Sequence, residues 1–140
     1  MSHRKLNQTN HQFHKLSAYS RLNFIKTGLL IACLSLCFIY DRTYFFYPPS
    51  LAPTWNDIWV DSIGLLAGLE LLSIGAFDIH IDFLAKLGVG VSVAFLTLLL
   101  VAELLHVFGI GYFRFHPVIV FEIYTIFNLM QLAYEYQPNS

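Results

Sequence analysis

Charged residues are scarce in this sequence. Only 12% of its 140 residues are Asp, Glu, Lys or Arg, whereas hydrophobic residues make up 56%. A soluble domain usually carries about a quarter charged residues, so this chain has roughly half the charge that a water-facing surface needs. The composition therefore argues against an ordinary soluble domain and indicates an integral membrane protein.

Cysteine is also rare, and acidic residues are missing from the first 40 positions. Cys33 and Cys37 lie four positions apart in an apolar run, a spacing that suits neither a zinc knuckle nor a CxxC redox pair, so we interpret both as packing residues. Five of the eight basic residues precede position 27, whereas all nine acidic residues lie at or after Asp41. Residues 1–23 thus form a basic tail, either a partly disordered segment that sets topology or an interfacial helix on an anionic membrane surface.

The motifs of soluble enzymes are lacking as well. The sequence has no Walker loop, no GxSxG, no HExxH and no GxGxxG after a strand. We therefore favour a non-enzymatic protein without a cofactor, and we do not expect nucleic acid as a partner. The expected partner is the lipid bilayer, with a second copy of the chain or a cytoplasmic or membrane protein as further candidates.

Long apolar runs are what this sequence has in abundance. About 20 apolar residues cross a hydrocarbon core of about 30 Å. Four runs reach or approach that length: 24–46, 57–77, 87–111 and 117–136. We therefore predict an all-α fold, a polytopic bundle of four transmembrane helices over residues 24–136, followed by a short tail, 137–140.

The basic residues also predict an orientation in the cell membrane. If the N-terminus is cytoplasmic, six basic residues lie on that side, against only Arg42 and Arg114 outside. Basic loops favour the cytoplasm, so both termini are expected there. The first outer loop, residues 41–57, contains three prolines and an aromatic cluster, and we expect it to lie on the membrane surface.

A few ionisable residues interrupt the apolar runs and form the candidate functional set. Glu103 and His106 share one helical face, and Glu122 is expected at a similar depth on the next helix. Intramembrane ionisable groups commonly mark ion or proton paths. The candidates for such a path are Glu70, Glu103, His106, Glu122 and Asp61. Glu70 is the deepest of them and has no obvious basic partner, which makes it the strongest argument for function.

Two other interpretations of the same residues stay open. In the first, Arg114 forms a structural ion pair with Glu103 or Glu122 and merely holds the third and fourth helices together. In the second, Glu103 and His106 bind a metal in a membrane-embedded redox enzyme subunit, because Glu-x-x-His occurs in di-iron bundles. Such bundles need two copies of the motif, whereas this chain has a single copy.

Glycines predict where helices approach each other closely. Gly64 and Gly68 form a GxxxG motif, a pattern that lets transmembrane helices pack at short range. Gly75 continues the same stripe, and Gly88 lies on the expected interior face of the third span. All four are predicted packing residues.

The leading hypothesis is a small multi-pass membrane protein that acts by assembly or by passing a cation, a proton or a small solute through a carboxylate-lined interior. The small size and basic end also resemble phage holins, which would imply assembly in the membrane. The fourth span and the non-basic C-terminus depart from the holin pattern. A structural or interaction protein with a basic docking tail is the remaining alternative.

Overall fold

The computed structural model describes residues 18–79, 81–109 and 117–135. Across these ranges the chain forms five helices and no strand: α1 (Ala18–Tyr40), α2 (Ala52–Trp55), α3 (Ile58–Phe77), α4 (Asp82–Gly109) and α5 (Pro117–Glu135). Four spans in these ranges are long and apolar enough to cross a membrane: Tyr19–Tyr40, Ala52–Phe77, which joins α2 to α3, Asp82–Gly109 and Pro117–Tyr134. The predicted all-α fold with four span-length helices is therefore confirmed.

The helix boundaries differ from the limits of the apolar runs. α1 covers Ala18–Tyr40, whereas the apolar run predicts a span over 24–46, and α4 begins at Asp82 rather than at residue 87. A helix continues as long as its backbone groups find partners, so it can extend past the apolar stretch. Beyond Tyr40 the Asp41 carboxylate accepts hydrogen bonds from the Thr43 N–H at 3.2 Å and the Thr43 hydroxyl at 2.9 Å, which stabilises a turn.

Both ends of α3 are capped by side chains. Asp57 accepts a hydrogen bond from the Trp59 N–H at 3.1 Å at the start of the helix. At the other end Asp78 adopts a left-handed conformation, and Arg21 Nε of α1 donates to the Gly75 carbonyl at 3.2 Å. Arg21 also lies 3.8 Å from the Asp78 carboxylate. Because a cation at a helix C-terminus offsets the helix dipole, Arg21 fixes α1 against the end of α3.

The four long helices pack in chain order. α1 packs most extensively on α3, α3 on α4, α4 on α5, and α5 returns to contact α1. The bundle therefore has two ends. We call the end that carries residues 41–57 the α2 end. The other end, where α3 ends and α4 begins, is called the opposite end.

The α1–α3 contact is a contact between backbones. A Cβ atom on Gly28 would lie 2.5 Å from Leu72 N and 2.7 Å from Gly68 O. A Cβ on Gly68 would lie 2.6 Å from Ala32 N. Because no real Cβ fits at such distances, glycine at these two positions is what allows α1 and α3 to approach so closely.

The outer surface of the bundle suits a bilayer. Exposed aromatic residues with a polar edge lie near both ends: Tyr40 and Trp59 at the α2 end, Tyr19 and Tyr134 at the opposite end. Tyr19 and Tyr40 are about 32 Å apart along α1 at 1.5 Å per residue, close to the hydrocarbon thickness. Trp and Tyr at two such levels are typical of membrane interfaces.

Hydroxyl groups on the outer surface are satisfied within their own helices. Ser62, Ser73 and Thr97 each donate to the carbonyl four residues earlier, at 2.6 to 2.8 Å. A polar group that faces lipid finds no water partner, so an internal hydrogen bond removes most of its cost.

Residues 41–57 close the α2 end of the bundle. Phe45 and Trp55 belong to the hydrophobic core, with ring centroids 5.9 Å apart. Asn56 fixes this loop, because its amide nitrogen donates to the Phe45 carbonyl at 2.6 Å and its oxygen accepts from the Phe45 N–H. The position of this loop on a membrane surface stays a prediction, and the structure adds that Phe45 and Trp55 pack into the core while Phe46 stays exposed.

Candidate functional site

Two glutamates on the neighbouring helices α4 and α5 are buried in the interior near the α2 end. Glu103 of α4 and Glu122 of α5 are each only 1% exposed, and their carboxyl groups interact electrostatically. Within the part of the chain that the structure describes, Glu103 Oε2 and both oxygens of Glu122 have no hydrogen-bond partner. A buried carboxylate without a partner costs several kcal/mol, so these three atoms require a proton, a cation or water.

The α4 face that carries Glu103 is the interior face of the bundle. Glu103, His106 and Gly88, which the sequence places on the interior side, are buried there together with Ser92, Phe95, Leu99 and Ala102. On α5, Glu122 and Thr125 are buried, while Asn128 is partly exposed. The helical period alone thus locates the carboxyl pair, because both glutamates lie on faces that other helices cover.

Tyr44 completes the pair from the loop. Its hydroxyl donates to Glu103 Oε1 at 2.6 Å, a short distance for a charge-assisted hydrogen bond. Burial, and next the hydrogen bond to Glu103, raise the pKa of Tyr44 well above its ordinary value of 10.0. The phenol therefore stays protonated and acts as a donor at any physiological pH.

His106 lies one turn further along α4, among aromatic rings. Its ring makes edge contacts with Phe46 at 4.3 Å and Phe45 at 6.3 Å between centroids. The residue is 8% exposed, and within the described ranges its Nδ1 has no hydrogen-bond partner. His106 therefore lies between the carboxyl pair and the end of the bundle. We call Tyr44, Glu103, His106 and Glu122 the carboxyl site.

Asp61 lies at the same end but has different neighbours. It is buried in the first turn of α3, and its electrostatic partners are Arg42 and Asp57. The Arg42 charge favours the Asp61 carboxylate, while Asp57 opposes it. The structure thus gives Asp61 a basic neighbour from the loop, Arg42, and partners that differ from those of the two glutamates.

Glu70 lies apart from the carboxyl site, further from the α2 end, and is partly buried. Its carboxyl group packs on Gly88 of α4: a Cβ there would lie 3.2 Å from both Glu70 Cδ and Oε2. Glu70 Oε1 is buried, and the described residues offer it no hydrogen-bond partner. The lack of a side chain at Gly88 is what gives the carboxyl group room between α3 and α4.

The other predicted packing glycines contact three different neighbours. Gly64 faces the ring of Phe95 on α4, so that a Cβ on Gly64 would overlap the ring. Gly68 faces α1, and a Cβ on Gly75 would lie 2.8 Å from the Arg21 carbonyl oxygen. The GxxxG motif therefore borders two helices, with Gly64 towards α4 and Gly68 towards α1.

The metal interpretation finds limited support in these ranges. Among the described residues, no three or more His, Cys, Asp or Glu side chains come close enough together to hold a metal ion. Glu103 and His106 supply two potential ligands, fewer than the three protein ligands of a typical catalytic zinc site.

Two residues near the buried carboxyl groups, Tyr44 and Arg42, could not be assigned to these positions from the sequence. Tyr44 comes from an aromatic cluster that reads as a membrane-interface segment, and only the fold of the loop brings it to Glu103. Arg42 reaches Asp61 for the same reason. Arg114, the predicted ion-pair partner of the glutamates, lies outside the described residues.

The fold and the site together define a class: a small bundle of four membrane-length helices with a buried carboxyl pair close to one end. No family model, no curated protein and no solved structure shows a significant match to this chain. The functional argument therefore depends on the geometry of the site.

Proposed function

We propose that this chain spans the cell membrane four times and that the carboxyl site takes up a proton at the α2 end and passes it into the bundle. The observation that carries the proposal is the Glu103–Glu122 pair, with three buried oxygens that have no partner in the described ranges. Neighbouring buried carboxyl groups are stable when they share one proton, because the proton removes one charge and forms a hydrogen bond between them.

A proton fits this site better than a metal cation does. Two carboxyl groups can hold a proton without any further ligand, whereas a cation such as Ca²⁺ takes six to eight oxygen ligands. Tyr44 already donates to Glu103 Oε1, which leaves Glu103 Oε2 and the two Glu122 oxygens as the acceptors without a partner in the described ranges. His106, whose Nδ1 has no hydrogen-bond partner in the described ranges, lies one turn from Glu103 towards the α2 end and supplies a further nitrogen that can accept a hydrogen bond or a proton.

The proposed orientation puts the α2 end outside and both termini in the cytoplasm. Exposed Lys26 and Lys86 lie near the opposite end, whereas Arg42 is the basic residue of the described α2 end. This asymmetry supports the assignment, because basic residues favour the cytoplasmic side. Reporter fusions at Ser50 and His80 test it: an external Ser50 and a cytoplasmic His80 are expected, and the reverse would contradict it.

Proton binding is testable on the purified full chain in lipid. Infrared difference spectra between acid and alkaline pH are expected to show a carboxyl C=O band that both Glu103→Gln and Glu122→Gln abolish or shift. Asp82→Asn is the matched control, because Asp82 is exposed at the opposite end. If neither glutamine variant changes the carboxyl band, the pair is not a proton site.

Proton passage needs a second measurement. In vesicles with an entrapped pH dye and a potassium diffusion potential, the wild-type chain is expected to carry protons, and each glutamine variant to carry fewer. A flux equal to that of empty vesicles would leave the protein without the proposed activity.

A further inference from the structure

An apolar layer divides the buried face of α4 into two polar parts. Glu103 lies on one side and Ser92 on the other, about 16 Å apart at 1.5 Å per residue. Between them lie Phe95, Leu96 and Leu99, which are 5%, 0% and 1% exposed. A proton that leaves the carboxyl site along this face therefore meets three packed hydrophobic side chains.

Polar groups reappear on the far side of this layer. Ser92 is fully buried, and within the described ranges its hydroxyl oxygen has no partner. One turn further, Gly88 packs against the Glu70 carboxyl group, whose Oε1 is likewise without a partner in these ranges. The groups that could accept a proton thus lie at two levels of the bundle.

Phe95 fills the layer between these two levels. Along α4 it lies about 12 Å from Glu103 and about 10 Å from Gly88. Its ring occupies the space left by the missing side chain of Gly64, so it reaches the backbone of α3. Among the three apolar side chains of this layer, Phe95 is therefore the one that packs on the α3 backbone at Gly64.

We propose that Phe95, seated on Gly64, is the barrier between the carboxyl site and Glu70, and that Glu70 accepts the proton beyond it. This inference rests on the proposed function. An apolar constriction blocks passage because water does not occupy it, and passage resumes when the constriction widens. Movement of the Phe95 ring off Gly64 would let water connect the two levels.

The first test removes the ring. Phe95→Ala in the full chain, reconstituted in phosphatidylcholine and phosphatidylglycerol vesicles, is expected to raise proton flux about tenfold or more, as a lowered barrier would. Phe24→Ala is the matched control, because Phe24 is likewise a buried phenylalanine but packs on α3 at Gly75, away from Glu70. Equal increases in the two variants would mean that any large cavity causes leakage, and would overturn the proposal.

A second variant keeps the Phe95 ring and fills the space at Gly64 that the ring occupies. The Cβ of Gly64→Ala would occupy the position of the Phe95 ring, so the ring must move and flux is expected to rise. Gly90→Ala is the control, because a Cβ at Gly90 meets nothing within 4 Å. The comparison of Gly64→Ala with Gly90→Ala also tests the barrier if Phe95→Ala does not fold. Flux unchanged from wild type in Gly64→Ala would contradict the barrier.

A double variant tests the acceptor. Glu70→Gln is expected to lower the raised flux of Phe95→Ala, whereas Asp82→Asn in the same background is expected to leave it high. An undiminished flux would overturn the role of Glu70. The barrier and the proposed function fail separately: an unchanged flux in Phe95→Ala and Gly64→Ala, with the Glu103–Glu122 carboxyl band still present, rejects only the barrier.

Discussion

Substitution of Gly28 gives the most direct test of the contact that holds α1 on α3. In Gly28→Ala the new Cβ would lie 2.5 Å from Leu72 N and 2.7 Å from Gly68 O. Both atoms belong to the backbone, so no side-chain rotation relieves the overlap and the helices must separate. Overpacking of this kind typically costs about 1–3 kcal/mol, and backbone neighbours favour the upper part of that range.

Gly90→Ala is the matched control for Gly28→Ala. A Cβ at Gly90 is free of contacts, and both variants gain about the same helix propensity, roughly 1 kcal/mol. The difference in unfolding free energy between the two variants therefore isolates the cost of close approach. It can be measured by titrating the protein in mixed micelles with dodecyl sulfate and following helicity by circular dichroism.

The expected result is that Gly28→Ala is less stable than Gly90→Ala by about 1–3 kcal/mol. A difference smaller than about 0.5 kcal/mol, the scatter of ordinary surface substitutions, would refute the reasoning. It would mean that α1 and α3 do not meet through their backbones at this position.

Three further predictions concern the two ends of the bundle. Tyr44→Phe leaves the Glu103 carboxylate without its donor and should reduce the unfolding free energy by about 1–3 kcal/mol, whereas Tyr40→Phe, at a 94% exposed position, should not. Because the pKa of Tyr44 is raised in the folded protein, its contribution is fully present below pH 10.0 and is lost at higher pH. The alkaline loss of stability should therefore be smaller in Tyr44→Phe, and identical pH profiles would contradict this assignment. Arg21→Gln should destabilise the protein by about 1 kcal/mol through the lost cap on α3, while the exposed Lys26→Gln should have no such effect. The same unfolding titration measures each variant, and equal stabilities of the two glutamine variants would argue against the cap.

The interior face of α4 could be predicted because helical geometry is local. Residues three, four and seven positions apart share a face, so the small and polar residues from Gly88 to His106 define one stripe without any knowledge of neighbours. The same period put Glu122 on a covered side of α5. Both glutamates are buried in the structure.

The partners of that face could not be predicted in the same way. Glu103 meets Tyr44, which lies 59 positions away in the chain, and Glu70 meets Gly88 across a helix pair. GxxxG indicates that some helix approaches closely, but it does not say which one, and here Gly64 and Gly68 face different helices. Contacts of this kind depend on the order and rotation of the helices.

The sequence by itself determined the all-helical class of structure, because each of the four apolar runs is long enough for a helix that pairs its backbone polar groups internally. It also determined which residues are polar within those runs, since composition and period are local properties. Only the tertiary structure decided that residues 41–57 close one end of the bundle, that Tyr44 donates to Glu103, and that Phe95 fills the space beside Gly64. The physical reason is that helix packing selects partners by shape over long sequence separations, and no local pattern encodes that fit.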